Sequence, residues 1–374
     1  MKIKILTIVG ARPQFIKAAA LSREFAKNQD LINEIIVHTG QHFDHNMSEV
    51  FFQEMNIPVP DYNLGIASMG HGAMTGRMLE SIEKVILKEN PDYLLVYGDT
   101  NSTFAGALAA KKMHVPVIHI EAGLRSFNMK MPEEINRILT DRISDVLFCP
   151  TDTAIKNLHN EGYQNIGAKV YQVGDVMEDA VHYYKTYAEG TSNVLKNNDL
   201  TPNNYLLATV HRAENTDATN RLTEIVNALN DLHQNADVVV PLHPRTKQKI
   251  KSLGIDVRFK LLDPVGYFDM LKLVSNSRLI LTDSGGLQKE AFINNKYCIT
   301  MRDETEWVEL VEGGYNTLVG ASRTNIIRAV NHMIDRSFNK LSELYGGGKA
   351  SEAIVDHIIS DYEERHPSSP IRSN

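Results

Sequence analysis

The sequence predicts an α/β protein made of two doubly wound parallel-sheet domains with a cleft between them. Three observations predict it. Short apolar runs alternate with helical stretches along most of the chain, which is the spacing of βαβ units. Several runs end on a glycine, an acid or a cation, the residue types that serve ligands outside the carboxyl ends of parallel strands. The pattern then starts again after a polar stretch, Glu189 to Asn203. A length of 374 residues favours two domains.

Lys2 to Val9 reads as a buried strand. Gly10-Ala11-Arg12-Pro13 then opens a helix running to about Asn28, with Pro13 suited to its first turn. Ile35 to His38 is a second strand. Asp44 to Met55 has a helical pattern, and Pro58 to Gly72 is a loop rich in Pro, Gly, Asn and Ser. A helix follows from Ala73 to Glu89. Next come strand Tyr93 to Tyr97, a helix near Ser102 to Met113, strand Val115 to Ile120, helix Pro132 to Ile143 and strand Val146 to Pro150. Val170 to Val173 is a strand at the edge of the first domain. Residues 189–203 make the best linker by composition. In the second half, four strands end in His211-Arg212, His243-Pro244, Asp283-Ser284-Gly285-Gly286 and Arg302-Asp303. The domains are placed at 1–176 and 177–349. A last helix at 350–366 has no strand after it and is expected to brace the first domain; the tail 367–374 is expected to be disordered.

Composition narrows the function. Hydrophobic residues are 43% and charged residues 23%, an ordinary globular balance, and the net charge of -7 leaves no electrostatic footprint for nucleic acid. A local basic cluster can still hold a phosphorylated small molecule. Cys149 and Cys298 follow apolar runs and read as buried free thiols. Neither has a partner at ligand spacing and the histidines are scattered, so no metal is expected. The first apolar run is too short for a signal-peptide core or a membrane span, which makes a cytoplasmic location the expectation.

The stretch Thr282-Asp283-Ser284-Gly285-Gly286 is the sharpest local motif. Small residues at a strand-to-helix junction let backbone N–H groups approach an anion, and the helix dipole favours negative charge there. A plain helix cap is an equal reading. Glu290 lies far enough into that helix to reach ribose hydroxyls. Arg12 and Lys17 flank the corresponding junction of the first half. Arg302, just past a strand end, suits a diphosphate, with an ion pair to Asp303 or Glu304 as the competing account. Asp99 and Glu121 close successive strands and Glu133 follows shortly after. Clustered carboxylates in a site that excludes water make general acids and bases. Singly, Asp99 also suits a helix cap, Glu121 a pair with Arg125, and Glu133 a helix first turn. His211 ends a strand and is placed to assist a leaving group; His243 sits at the equivalent point of the next strand.

Together these segments resemble the non-hydrolysing UDP-N-acetylglucosamine 2-epimerase family. The markers are GARP at 10–13, HTGQH at 38–42, GDT at 98–100, EAGLR at 121–125, PEEINR at 132–137, HRAEN at 211–215 and TDSGG at 282–286. Their order and spacing carry the resemblance over nearly the whole chain. It implies a GT-B-like pair of Rossmann-type domains, a homodimer, no cofactor, and inversion at C2 of a UDP-2-acetamido sugar through a 2-acetamidoglycal. By matching position it implies that Asp99, Glu121 and Glu133 form the acid/base set and that His211 assists UDP departure. Arg12, Lys17, Ser284, Gly285, Gly286, Glu290 and Arg302 would hold the nucleotide. The chain departs from the family at Gln14, where a glutamate is usual, and at Glu304-Thr305-Glu306-Trp307. With SFNMKMPEEINR, these departures resemble the subgroup acting on UDP-2,3-diacetamido-2,3-dideoxy-glucuronate. Lys130 is then a candidate for the uronate carboxylate. Gln41, His42 and His243 match parts of a second, allosteric site found in some members. The competing classes are a GT-B glycosyltransferase, which needs an acceptor but not three carboxylates, and a silent UDP-sugar sensor, which has no use for the acids.

Overall fold

The structure, a computed structural model, describes residues 2–40, 57–242, 244–341 and 343–367. The chain divides into two compact units, Met1–Ala180 with Leu344–Asn374, and Val181–Glu343. Each is a Rossmann-type, doubly wound α/β unit of the GT-B-like kind.

The first unit carries strands β1 (Ile3–Val9), β2 (Ile32–His38), β3 (Tyr62–Asn63), β4 (Tyr93–Tyr97), β5 (Val117–Ile120), β6 (Val146–Cys149) and β7 (Lys169–Gln172). They lie in the order β3-β2-β1-β4-β5-β6-β7, every pair parallel. Helices cover both faces, so β4, β5 and β6 are buried at every position and read in sequence as unbroken apolar runs. The last helix, Ala350–Arg365, belongs to this unit. Tyr93 Oη donates to its Asp361 at 2.6 Å, and Lys169 pairs with the same carboxylate at 2.7 Å.

The second unit carries β8 (Tyr205–Thr209), β9 (Asp237–Pro241), β10 (Lys260–Leu262), β11 (Leu279–Thr282), β12 (Cys298–Thr300) and β13 (Asn316–Leu318), in the order β10-β9-β8-β11-β12-β13 and again all parallel. Alternate side chains feed opposite faces, as a strand's two-residue period requires. Leu206, Ala208, Val238 and Val240 join one buried cluster, while Tyr205, Leu207 and Val239 join the other.

Two expectations need correction. The stretch expected as a loop at 58–72 contains β3, and its helix starts earlier, spanning His71–Glu89. The polar stretch expected as linker is partly helical: Val176–Thr191 runs into it and Val194–Asn197 forms a short helix. Val194 is buried in the β8–β9 cluster, and Glu189 accepts from Ser275 and Asn276 and pairs with Lys272 at 3.0 Å. Fixed partners, invisible in composition, order these polar residues. The helix expected at 44–55 lies outside the described residues. Cys149 and Cys298 are buried and unbridged. No helix among the described residues is long and apolar enough to cross a membrane.

Candidate active site

In a doubly wound sheet, ligands bind outside the strand carboxyl ends where strand order reverses. That point falls between β1 and β4 in the first unit and between β8 and β11 in the second. Most of the predicted site residues sit on the loops that leave these strands and their neighbours β5 and β12, or in the helices that follow those loops.

After β1 the backbone passes close to its surroundings: a Cβ on Gly10 would overlap the hydroxyls of Ser102 and Thr39. Buried Gln14 then holds the loop. Its Oε1 accepts from the N–H groups of Gly10 at 2.8 Å and Ala11 at 3.0 Å. Its Nε2 donates to the Tyr97 carbonyl at 2.8 Å and to Thr103 Oγ1 at 3.0 Å. A glutamate could do only the accepting half, which accounts physically for the glutamine. Arg12 opens the helix Arg12–Lys27, but its side chain is outside the described part. Lys17 is buried and ion-paired to Glu121, not a solvated surface cation.

Glu121 follows β5 with φ 69°, a left-handed conformation that a non-glycine residue adopts only under constraint. This turns its carboxylate over Gly98, where an added Cβ would lie 3.1 Å from Glu121 Oε2. Arg125 does not pair with Glu121; it is buried against Asp141 at 2.7 Å and Glu161 at 2.7 Å. Asp99 is not the cap of the helix Asn101–Lys112, because Thr100 accepts from Thr103 N there. Its carboxylate pairs instead with Arg137. Arg137 also donates to Glu134 Oε2 at 2.6 Å. Burial alone would raise the Glu134 pKa, but bonds from Ser126, the Arg137 charge and the Phe127 amide hold it below the ordinary carboxylate value. Its neighbour Glu133 is exposed in the first turn of Pro132–Ile143, and Lys130 is exposed on the preceding loop.

In the second unit, buried Asp283 accepts from the His211 and Arg212 amides at 3.1 Å each and from Asn215 Nδ2 at 3.1 Å. It also faces His211 Nδ1 at 3.0 Å. Burial works against its charge, yet the His211 bond and charge, Asn215 and the Arg212 amide keep its pKa below the usual range. The imidazole stays 55% exposed, so one edge is oriented while the other remains open to a ligand. Ser284 caps the helix Gly285–Ile293 through Leu287 N, and a Cβ on Gly285 would overlap Glu306 Oε1. Within that helix Glu290 is buried, which pushes its carboxyl up to about 7. Arg302 is buried and pairs with Glu306 at 2.9 Å, not with Asp303 or Glu304; Asp303 is taken by Arg221 at 2.9 Å. Gln41, His42 and His243 lie outside the described residues. Among those described, no group of acids, histidines and cysteines is placed to hold a metal ion.

A model of the UDP-N-acetylglucosamine 2-epimerase family matches residues 24–359. The chain belongs to this family. The epimerase is 56% identical over 357 residues, 95% of its length and 99% of its relative's, to the UDP-2,3-diacetamido-2,3-dideoxy-D-glucuronate 2-epimerase of Pseudomonas aeruginosa. Its fold matches the crystal structure of Methanocaldococcus jannaschii UDP-GlcNAc 2-epimerase in complex with UDP-GlcNAc and UDP. That match has a TM-score of 0.86 and 43% identity, covering 96% of this chain and all of the other. The Neisseria meningitidis enzyme bound to UDP-GlcNAc matches with a TM-score of 0.87 and 32% identity over 96% of this chain and all of the other. Sequence reasoning pointed to Asp99, Glu121 and His211 but missed what surrounds them: Gln14 as a clamp on the loop after β1, Lys17 as the partner of Glu121, Arg137 as the partner of Asp99, and Asp283 as the seat of His211. The only available signal for the last was its place one residue before Ser284.

Proposed function

We propose that this epimerase inverts C2 of a UDP-2-acetamido sugar by eliminating UDP and adding it back. One carboxylate takes the C2 proton, the C2–H electron pair becomes the C1–C2 double bond of a 2-acetamidoglycal, and the C1–O bond breaks with its electrons leaving on UDP. Protonation of C2 from the other face and return of UDP to C1 complete the inversion. The observation that carries this reading is Asp99 and Glu121 at the ends of adjacent parallel strands, each paired with a cation. The C2 hydrogen is barely acidic, so the step needs bases held in place. Asp99, Glu121 and Glu133 serve as the acid/base set. His211, oriented by Asp283, assists the departing diphosphate. Arg12, Lys17, Arg302, Ser284, Gly285 and Gly286 hold the nucleotide, the backbone N–H groups of the last two acting as the helix N-terminus allows, and Glu290 takes the ribose.

The substrate we favour is UDP-2,3-diacetamido-2,3-dideoxy-glucuronate, going to its manno epimer for surface polysaccharide; the relative at 56% identity supports it. Lys130 is then the partner of the uronate carboxylate. UDP-N-acetylglucosamine is the second reading, supported by the complex of the 43% identical relative. Gln41, His42 and His243 belong to a regulatory site in this proposal, and the active form is a cytoplasmic homodimer. The test is incubation with each UDP-sugar in D2O without any acceptor. Deuterium at C2 of both epimers is expected, with faster turnover of the diacetamido uronate. Epimerisation without solvent deuterium would refute the elimination route, and turnover of UDP-N-acetylglucosamine alone would refute the substrate.

A further inference from the structure

Asp141 is wholly buried in the helix Pro132–Ile143, yet its carboxylate serves other segments. Oδ1 faces His119 Nδ1 at 2.7 Å. Oδ2 accepts from Arg125 Nη1 at 2.7 Å and from the Gly123 amide at 3.1 Å. The far nitrogen of the same imidazole, Nε2, lies 2.7 Å from the Gly98 carbonyl. Burial opposes the charge on Asp141, but the His119 bond and charge and the Arg125 charge outweigh it and keep the pKa low. An ionised carboxylate only accepts, so Nδ1 donates to Asp141, and Nε2 donates to the Gly98 carbonyl. Arg125 is closed on its other edge by two bonds to Glu161, at 2.7 and 2.8 Å.

One buried carboxylate therefore reaches both loops that carry the strand-end acids. Gly98 immediately precedes Asp99, and Gly123 lies two residues after Glu121. Gly98, Glu121 and Gly123 all have left-handed backbones, with φ of 62°, 69° and 79°. Glycine takes such backbone freely, but Glu121 between them holds it only where its surroundings over-determine it. The Asp141–His119 and Asp141–Gly123 bonds supply that determination from one point.

We propose that Asp141 is a positioning residue for proton transfer at C2, fixing the Asp99 and Glu121 loops relative to each other. The proposal rests on the reading above that these acids act at C2. Asp141→Asn is nearly isosteric, but it places an N–H donor against either His119 or the Gly123 and Arg125 donors. Full-length wild type and variant are compared for turnover, C2 deuterium uptake in D2O, and UDP affinity by calorimetry. Turnover and deuterium uptake are expected to fall together by about 100-fold, the effect of roughly 1 Å of misplacement. KM and the UDP Kd are expected to stay within about threefold, because the loss falls on transition-state positioning. A kcat near that of wild type overturns the proposal. So does a kcat loss matched by weaker UDP binding, which marks general loosening. If Asp141→Asn does not fold, His119→Gln cuts the link between Asp141 and the Gly98 carbonyl and is read against the same outcomes. Wild type that takes up no deuterium at C2 sinks the proposed reaction itself. Wild type that does so, beside an equally active Asp141→Asn, sinks only the positioning role.

Discussion

Glu290 gives a prediction that needs no substrate. Burial in the helix after β11 is the main cause of its raised pKa, and the Lys289 charge offsets only part of it. The carboxyl moves from an ordinary 4.5 to about 7. Each pH unit between folded and unfolded values is worth about 1.4 kcal/mol, so the buried charge costs the fold about 3 kcal/mol at most. The sign follows from proton counting. Between the two values the folded protein holds a proton that the unfolded chain has lost, so raising the pH favours unfolding. The protonated carboxyl contributes its full stability below 4.5, and that contribution is gone above about 7. Glu290→Gln carries no charge at any pH. Thermal unfolding of both proteins without nucleotide, from pH 5 to pH 8.5, is the assay. The variant should exceed wild type by less than about 1 kcal/mol near pH 5 and by up to about 3 kcal/mol above pH 7. A gap independent of pH, or a variant less stable than wild type at pH 8.5, would refute the reasoning.

Two further outcomes follow from the site. Gln14→Glu keeps the bonds from Gly10 and Ala11 but has no ionised-state donor for the Tyr97 carbonyl and Thr103. It should lower stability by about 2 kcal/mol in thermal unfolding at pH 8, with part of the loss recovered on acidification as the carboxyl regains a proton. Asp99→Asn and Glu121→Gln should each keep a native circular dichroism spectrum and lose turnover by about 100-fold or more; activity near wild type in both would remove them from the acid/base set.

The fold was legible where burial is complete. Strands β1, β4, β5 and β6 are covered on both faces, so their apolar runs stand out against the helices between them. Strands β3, β10 and β13 have two or three residues, too few to show a period, and the reading passed over them. The stretch around Glu189 misled because composition records polarity and not partners. The site divides the same way. Acids at strand ends can be placed from the apolar runs before them. Their partners cannot: Lys17 lies 104 residues from Glu121 and Arg137 lies 38 from Asp99. The alternatives weighed for Glu121 and Arg302 were sequence neighbours, Arg125, Asp303 and Glu304, while the structure chose Lys17 and Glu306. His119 sits inside the run that forms β5 and gave no sign of its bonds to Asp141 and Gly98.

The bond from Tyr93 to Asp361 joins residues 268 positions apart. During synthesis the second unit, Val181–Glu343, leaves the ribosome before Asp361 does. The first unit to leave the ribosome is thus the last to be finished, and it waits with Tyr93 and Lys169 unpartnered until the final helix arrives. Folding of the second unit in the meantime shortens the loose chain that must be closed to bring that helix home, and so lowers the entropic cost of closure.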